Sequence, residues 1–357
     1  MIPKGLNVAS HNDSTRLETI QKLRQTPAMQ QVSEKRPTLR SLAEITGLGV
    51  STVSQALRDS PEISEETRKR VKLAALQAGY RPNRAGVRLR TGKTNVITVV
   101  LNPQDSGSGF FADFVFGISD GLAGTNYHLV VTPYSLSDPM APIRYIADTG
   151  SADGVIFSRL QPVDPRVRFL TEHSIPFACH GRSDMGLAHP FYDFDNERFG
   201  FEAVSQLARR GRKRLALLGP PPGLTYESHT YAGFERGLIA HGCESVPIGS
   251  AHAESPLADV HELGRRLCRQ PTPPDGYICS NAAAAAALVS GVSAEGLVIG
   301  KDFDAICKSL PELLHMLVPQ MLVVPEDFRA AGYALAKLVI AAISGEPMDQ
   351  LQVVSFG

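Results

Sequence analysis

The sequence predicts a small all-α head joined to a larger α/β body whose strands run parallel in two lobes. Three observations predict it. Residues 38–78 place apolar side chains at helical spacing, broken only by turn residues. After Thr94, short Val- and Ile-rich runs alternate with helical stretches, the β-α-β-α rhythm of parallel sheets covered by helices on both faces. That rhythm continues to the C-terminus, too long a stretch for one sheet, so it divides into two lobes with a cleft as the natural ligand site.

Residues 1–36 are polar with little periodicity and read as an extension, weakly helical around Leu17 to Leu23. Thr38 caps a first helix over residues 39–45, with Leu42, Ala43 and Ile45 expected inward. Gly47 permits the tight turn that follows. A second helix runs from Val50 to Leu57, held down by Val53 and Leu57 at i and i+4. Its other face presents Ser51, Thr52, Ser54 and Gln55, short hydrogen-bonding groups suited to phosphates and base edges. Ile63-Ser64-Glu65-Glu66 opens a third helix with an acidic first turn, and Gly79-Tyr80-Arg81-Pro82-Asn83 ends it.

In the body, strands are expected at residues 96–101, 128–132, 154–157, 176–179, 214–218, 276–279, 297–299 and 322–324. Helices are expected near 111–124, 139–149, 165–173, 196–210, 230–241, 257–269, 281–290 and 327–344.

The formal net charge of zero hides an asymmetry. Residues 38–93 carry 11 Lys/Arg against 5 Asp/Glu, whereas residues 94–357 carry 19 against 28. A basic head on an acidic body fits a head that meets a polyanion and a body that does not. No run of 18 apolar residues is present, so no membrane span is expected. The N-terminus lacks an apolar signal core, so a cytoplasmic location is expected. Five irregularly spaced cysteines without a CxxC pair read as reduced thiols.

Catalytic patterns are missing. Gly47-Leu48-Gly49 begins a dinucleotide-like run but lacks the third glycine. Neither a phosphate-binding G-x-x-x-x-G-K-[ST] loop nor a G-x-S-x-G elbow occurs, and no histidines pair at metal-ligand spacing. No enzyme activity, cofactor or metal is expected.

The run Thr38-Leu39-Arg40-Ser41-Leu42-Ala43-Glu44-Ile45-Thr46-Gly47 through Val50-Ser51-Thr52-Val53-Ser54-Gln55-Ala56-Leu57 resembles the N-terminal helix-turn-helix of the lactose-repressor (LacI/GalR) family. The resemblance continues through Ile63-Ser64-Glu65-Glu66-Thr67-Arg68 and Gly79-Tyr80-Arg81-Pro82-Asn83. It implies DNA contacts from Thr38, Val50, Ser51, Thr52, Ser54, Gln55 and Asn83. Arg84-Ala85-Gly86-Val87-Arg88-Leu89 matches the family's hinge helix, which implies roles for Arg84 and Arg88 and a minor-groove wedge at Leu89. Gly49 stands where the family usually has Ser, and Gln55 where it usually has Arg. Gln suits the N6/N7 edge of adenine, so the operator is expected to differ from the family's usual one.

Asp195-Asn196-Glu197 to Gly200, Gly211-Arg212-Lys213-Arg214-Leu215, Ala232-Gly233-Phe234, Ser280-Asn281 and Gly300-Lys301-Asp302 resemble the family's ligand domain, itself similar to periplasmic sugar-binding proteins. The domains implied are a polar extension (1–36), a helix-turn-helix (37–83), a hinge helix and linker (84–94) and a two-lobed ligand-binding and dimerisation body (95–357). Arg182, Asp195, Thr230, Asn281 and Asp302 are the expected effector contacts, because paired sugar hydroxyls need planar polar groups. N-capping explains Asp195 equally well. Thr230 replaces a common ligand-binding Arg, and His180-Gly181-Arg182 and Lys301 are atypical. Those departures leave open a regulator that answers to a protein partner or another ligand. His180-Gly181-Arg182 with Asp195-Asn196-Glu197 and Leu224-Thr225-Tyr226 is similar to rhizobial-type regulators of α-glucosides.

The resemblance implies a repressor of carbohydrate-utilisation genes that binds a near-palindromic operator as a homodimer and is controlled by a small sugar-like effector. A solute-binding protein of a transporter would share the body but not the head. The end at Val353-Val354-Ser355-Phe356-Gly357 offers no heptads, so no coiled-coil tetramer is expected.

Overall fold

The computed structural model describes residues 37–80, 88, 92–102, 110–134, 136–309 and 311–356. The extension (1–36) and Asn83, Arg84 and Leu89 therefore lie outside the described residues. The chain divides into two compact units between residues 87 and 88.

The head holds three helices, α1 (Leu39–Thr46), α2 (Val50–Ala56) and α3 (Glu65–Gln77). Thr38 and Ser41 cap α1 reciprocally: the Ser41 N–H donates to Thr38 Oγ1 and the Thr38 N–H to Ser41 Oγ, each at 3.2 Å. Gly47 has φ 67, the left-handed turn expected of it. Leu42, Val53, Ala56 and Val71 are fully buried and form the core, with Leu57 packed at its margin. Ile45 departs from expectation and is 61% exposed. At about 100° per residue, Leu39, Leu42 and Ala43 share one arc, and Ile45 falls roughly 160° from Ala43.

The body begins with β1 (Val96–Leu101), α4 (Phe110–Leu122), β2 (His128–Pro133), α5 (Ala141–Thr149), β3 (Gly154–Ser158), α6 (Pro165–Glu172), β4 (Phe177–His180) and β5 (Phe191–Phe194). A second lobe follows: α7 (Asn196–Arg209), β6 (Arg214–Leu218), α8 (Thr225–His241), β7 (Glu244–Ser245), α9 (Leu257–Cys268), β8 (Gly276–Cys279), α10 (Ala282–Ser293), β9 (Asp304–Lys308), α11 (Glu312–Leu317) and β10 (Leu322–Val324). The chain then returns to the first lobe as α12 (Phe328–Ser344) and β11 (Gln352–Ser355). The first sheet runs β11-β5-β4-β3-β1-β2 and the second β10-β9-β8-β6-β7, every pair parallel. Val99, Ile156 and Ala178 of the first sheet are wholly buried between helices, as are Tyr277, Ile278 and Cys307 of the second.

Several elements differ from the sequence expectation, and β7 and α11 have no counterpart in it. No strand forms at residues 297–299, where Ile299 makes only an isolated bridge to Phe303; the strand is β9, further along. β5 and β11 pair with each other although the chain separates Phe191 from Gln352, so neither shows in a local pattern. α8 starts at Thr225 rather than near residue 230. Among the described residues no helix is long and apolar enough to cross a membrane.

Candidate functional site

Two surfaces carry the expected contacts. On the head, Val50 opens α2 and is exposed, as is Ser51, while Thr52, Ser54 and Gln55 are half-buried. The Gln55 side-chain amide donates to Glu62 Oε2 at 3.1 Å, so that carboxylate orients the Gln55 side chain. The Thr38 hydroxyl is engaged in capping α1. Gly49 precedes α2, and no side chain caps that helix start. Arg88 is exposed, and its guanidinium donates to the Thr149 carbonyl at the end of α5, 2.6 Å away.

In the body, the C-terminal ends of strands from both sheets converge on one cavity of about 1080 Å³, counting its open mouth. This is the crevice where parallel sheets present their side chains. Ser158 ends β3 and Arg159 follows it, His180 ends β4, Asp193 lies on β5, Ser280 follows β8 and Lys308 ends β9. Phe110, Phe328 and Tyr226 supply aromatic surface, and Phe110 and Phe328 also flank the His180 ring.

The cavity's charges come in pairs. Arg159 meets Glu254 at two points, 2.5 and 3.0 Å. Lys308 Nζ lies 3.0 Å from Glu326 Oε2 and donates to Asn196 Oδ1 at 2.8 Å. Asn196 stands in one crossover between the lobes and Glu326 in the other, so one buried ammonium ties the two crossovers together. Arg182 Nε lies 3.2 Å from Asp193 Oδ2. Burial nonetheless pushes the Asp193 carboxyl up to about 7, with Arg182 opposing and Glu326 adding to the shift. Burial also pushes the His180 imidazole down, against the pull of Glu326, so the ring is neutral at pH 7.

Two of the five expected effector contacts, Arg182 and Asn281, line this cavity. Asn281 also caps α10, its Oδ1 accepting from the N–H groups of Ala283 and Ala284. The other three are placed elsewhere. Asp195 caps α7, accepting from the Arg198 N–H at 2.9 Å. Thr230 is fully buried and its hydroxyl donates to the Tyr226 carbonyl at 2.7 Å, while its helix presents Tyr226 and His229 to the cavity instead. Asp302 accepts from the Val298 N–H at 2.8 Å and closes the turn before β9. It stands at the N-terminal end of that strand, and the cleft lies at the other end, at Lys308 and Ser309. Placing the strand at 297–299 is what made Asp302 look like a strand-end residue. The same kind of miss hid Asp193, whose strand Phe191-Tyr192-Asp193-Phe194 carries no alternation to announce it.

The comparisons agree with this geometry. The family described as bacterial regulatory proteins, lacI family, matches residues 38–83, and the periplasmic binding protein-like domain matches residues 204–356. The HTH-type transcriptional regulator AglR of Rhizobium meliloti (strain 1021) is 35% identical over 316 residues, covering 85% of this chain and 87% of that protein. The HTH-type transcriptional regulator RafR of Escherichia coli is 28% identical over 325 residues, covering 88% and 95%. Among solved structures, the lac repressor dimer bound to operator and the anti-inducer ONPF shares the fold with a TM-score of 0.74 at 18% identity, over 87% of this chain and 94% of that one. The transcriptional regulator CelR–cellobiose complex does so with a TM-score of 0.65 at 24% identity, over 89% and 97%. A helix-turn-helix head with an outward polar face, a body of two parallel sheets around a polar cleft, and similarity to a regulator across nearly the whole chain have one common reading: this protein belongs to the lacI family of bacterial regulatory proteins and is a DNA-binding regulator of transcription.

Proposed function

We propose that this regulator is a homodimeric, non-enzymatic repressor that acts in the cytoplasm on carbohydrate-utilisation genes and is controlled by a small sugar-like effector held in the cleft. The observation that carries the effector reading is a pair of buried serines. Ser158 Oγ and Ser280 Oγ have no hydrogen-bond partner among the described residues, come from opposite lobes, and both line the cavity. A buried hydroxyl left unpaired costs about 1–3 kcal/mol, so a ligand rich in hydroxyls recovers that cost on binding. The aromatic faces of Phe110, Phe328 and Tyr226 suit the apolar faces of a pyranose, and the paired carboxylates keep lone pairs for its hydroxyls. Cellobiose in the CelR complex supports a ligand of glycoside size. Ligand contacts then fall to Arg182, Asn281, Ser158, Ser280 and the Lys308–Glu326 pair. DNA contacts fall to Val50, Ser51, Thr52, Ser54 and Gln55, assisted by Thr38, Asn83, Arg84, Arg88 and Leu89.

A thermal-shift screen of the full-length protein against mono- and disaccharides, α-glucosides included, tests this. A ligand at one hundred times its Kd adds about 2.7 kcal/mol of stability, a shift of several degrees. Ser280→Ala weakens that ligand about tenfold, one hydrogen bond's worth. A panel with no stabilising member overturns the sugar reading and favours a body that answers to a protein partner. Selection from a random DNA pool is expected to enrich a near-palindrome, since one head contacts too few base pairs to bind tightly alone.

A further inference from the structure

Among the described residues, two contacts that join the lobes across the cleft start from adjacent residues. Arg159, the first residue after β3, meets Glu254 in the two-point pair already described. The neighbouring Leu160 carbonyl accepts from the Thr225 N–H at 2.8 Å and from Thr225 Oγ1 at 3.2 Å. Arg159 and Leu160 belong to the first lobe, Thr225 and Glu254 to the second.

Strand order shows which side of the cleft they occupy. The crossovers leave the sheets from β5 and β10. Arg159 follows β3, one strand removed from β5 and near the middle of its sheet, and Glu254 lies in the loop after β7 where that loop is fastened at the end of β6, toward the edge opposite β10. A contact far from a hinge has the longest lever arm against its opening. Lys308 ties the crossovers themselves; Arg159 and Glu254 join the lobes away from them.

Both arms are held in position before they meet. Arg159 has φ 61, a left-handed conformation that an L-residue with a Cβ avoids. Arg166 keeps it there: its Nη2 donates to the Arg159 carbonyl at 2.8 Å while its own buried charge is paired with Asp164 at 2.7 Å. On the other arm, the Glu254 N–H donates to His252 Nδ1 at 3.2 Å, and the Ala253 N–H donates to the Gly219 carbonyl at 2.8 Å, fastening the loop to the end of β6. Arg159 and Glu254 are 14% and 25% exposed, so solvent screens their attraction only in part.

We propose that Arg159 and Glu254 form a latch that holds the two lobes together away from the crossovers, and that its opening sets ligand access to the cavity. The latch is a property of the body itself and does not depend on which effector the cavity takes.

Hydrogen exchange on the full-length protein, with no carbohydrate added, tests it. The Thr225 amide is the reporter, because its acceptor is on the opposite lobe. The Val155 and Ile278 amides, in the middle of β3 and β8, report global unfolding. Glu254→Gln keeps the side-chain shape and removes the charge; it is expected to speed exchange at Thr225 by about tenfold or more while leaving Val155 and Ile278 unchanged. Arg159→Ala is expected to do the same, and the double variant to exceed neither, as for two partners in one contact. A Thr225 rate that stays at the wild-type value in Glu254→Gln, a rise in only one of the single variants, or a rise matched at Val155 and Ile278 overturns the latch. The outcome is independent of the carbohydrate screen, so the two readings stand or fall separately.

Discussion

Asp193 sits on a buried strand with Arg182 3.2 Å from its carboxylate, and burial still outweighs that cation. Its folded value of about 7 lies above the ordinary 3.8. A carboxyl raised in this way binds a proton more tightly in the folded chain than in the unfolded one. Its contribution to stability is fully present below about pH 4 and is lost as pH rises to about 7, on the order of 4 kcal/mol in all. Asp193→Asn mimics the protonated form at every pH. The variant is therefore expected to match the wild type in urea unfolding near pH 4 and to exceed it at pH 8. A constant difference across that range would show that Arg182 keeps the carboxylate ionised throughout. Lys308, among the rings of Phe194, Phe199 and Tyr226, is by contrast met directly by Glu326 and Asn196.

At the scale of elements, α7 and α8 cross with backbone against backbone. A Cβ on Gly233 would run into the Glu197 carbonyl, and one on Gly200 into the carbonyl of Thr230. Two of the glycines named by the family resemblance are thus the two halves of one close crossing, and Thr230 is part of that packing rather than of the cavity lining. Gly233→Ala is expected to cost about 1–3 kcal/mol by forcing the helices apart, measured as a lower urea midpoint. Because α7 begins at the crossover residue Asn196, the same variant should also loosen the lobe boundary. The helix-turn-helix shows the opposite case, an element set by its own caps: Thr38 and Ser64 start α1 and α3, and Gly47 turns the chain between α1 and α2.

For the whole molecule, the basic head and acidic body divide the work between a polyanion and a small ligand. Electrostatic attraction to phosphates is shared by operator and random DNA, whereas a minor-groove wedge acts only where the duplex bends. By its resemblance to the family's hinge, Leu89 is the proposed wedge. Leu89→Ala is expected to weaken operator binding by tenfold or more (on the order of 1.4 kcal/mol) while changing random-DNA binding little, as read by fluorescence anisotropy at fixed salt. Equal losses on both DNAs would show an ordinary linker.

The head was legible in the sequence almost to the residue, because helix caps, a turn glycine and the spacing of Leu42, Val53 and Leu57 are local signals. The parallel α/β character of the body was legible for the same reason: β1, β6, β8 and β10 are short apolar runs bounded by helices. The ligand cleft was not. A strand-end residue is identified only when the strand's limits are known, and β9 begins two residues after Asp302, so the cavity received Lys308 and Ser309 instead. β5 exists through pairing with β4 and with the distant β11, and the latch joins Arg159 to a residue near the opposite edge of the other sheet. Sequence alone determined the family, the head and the alternation of the body, since those rest on neighbours along the chain; which side chains face one another across the cleft was decided by tertiary structure, since strand pairing and lobe closure bring together residues with no local pattern in common.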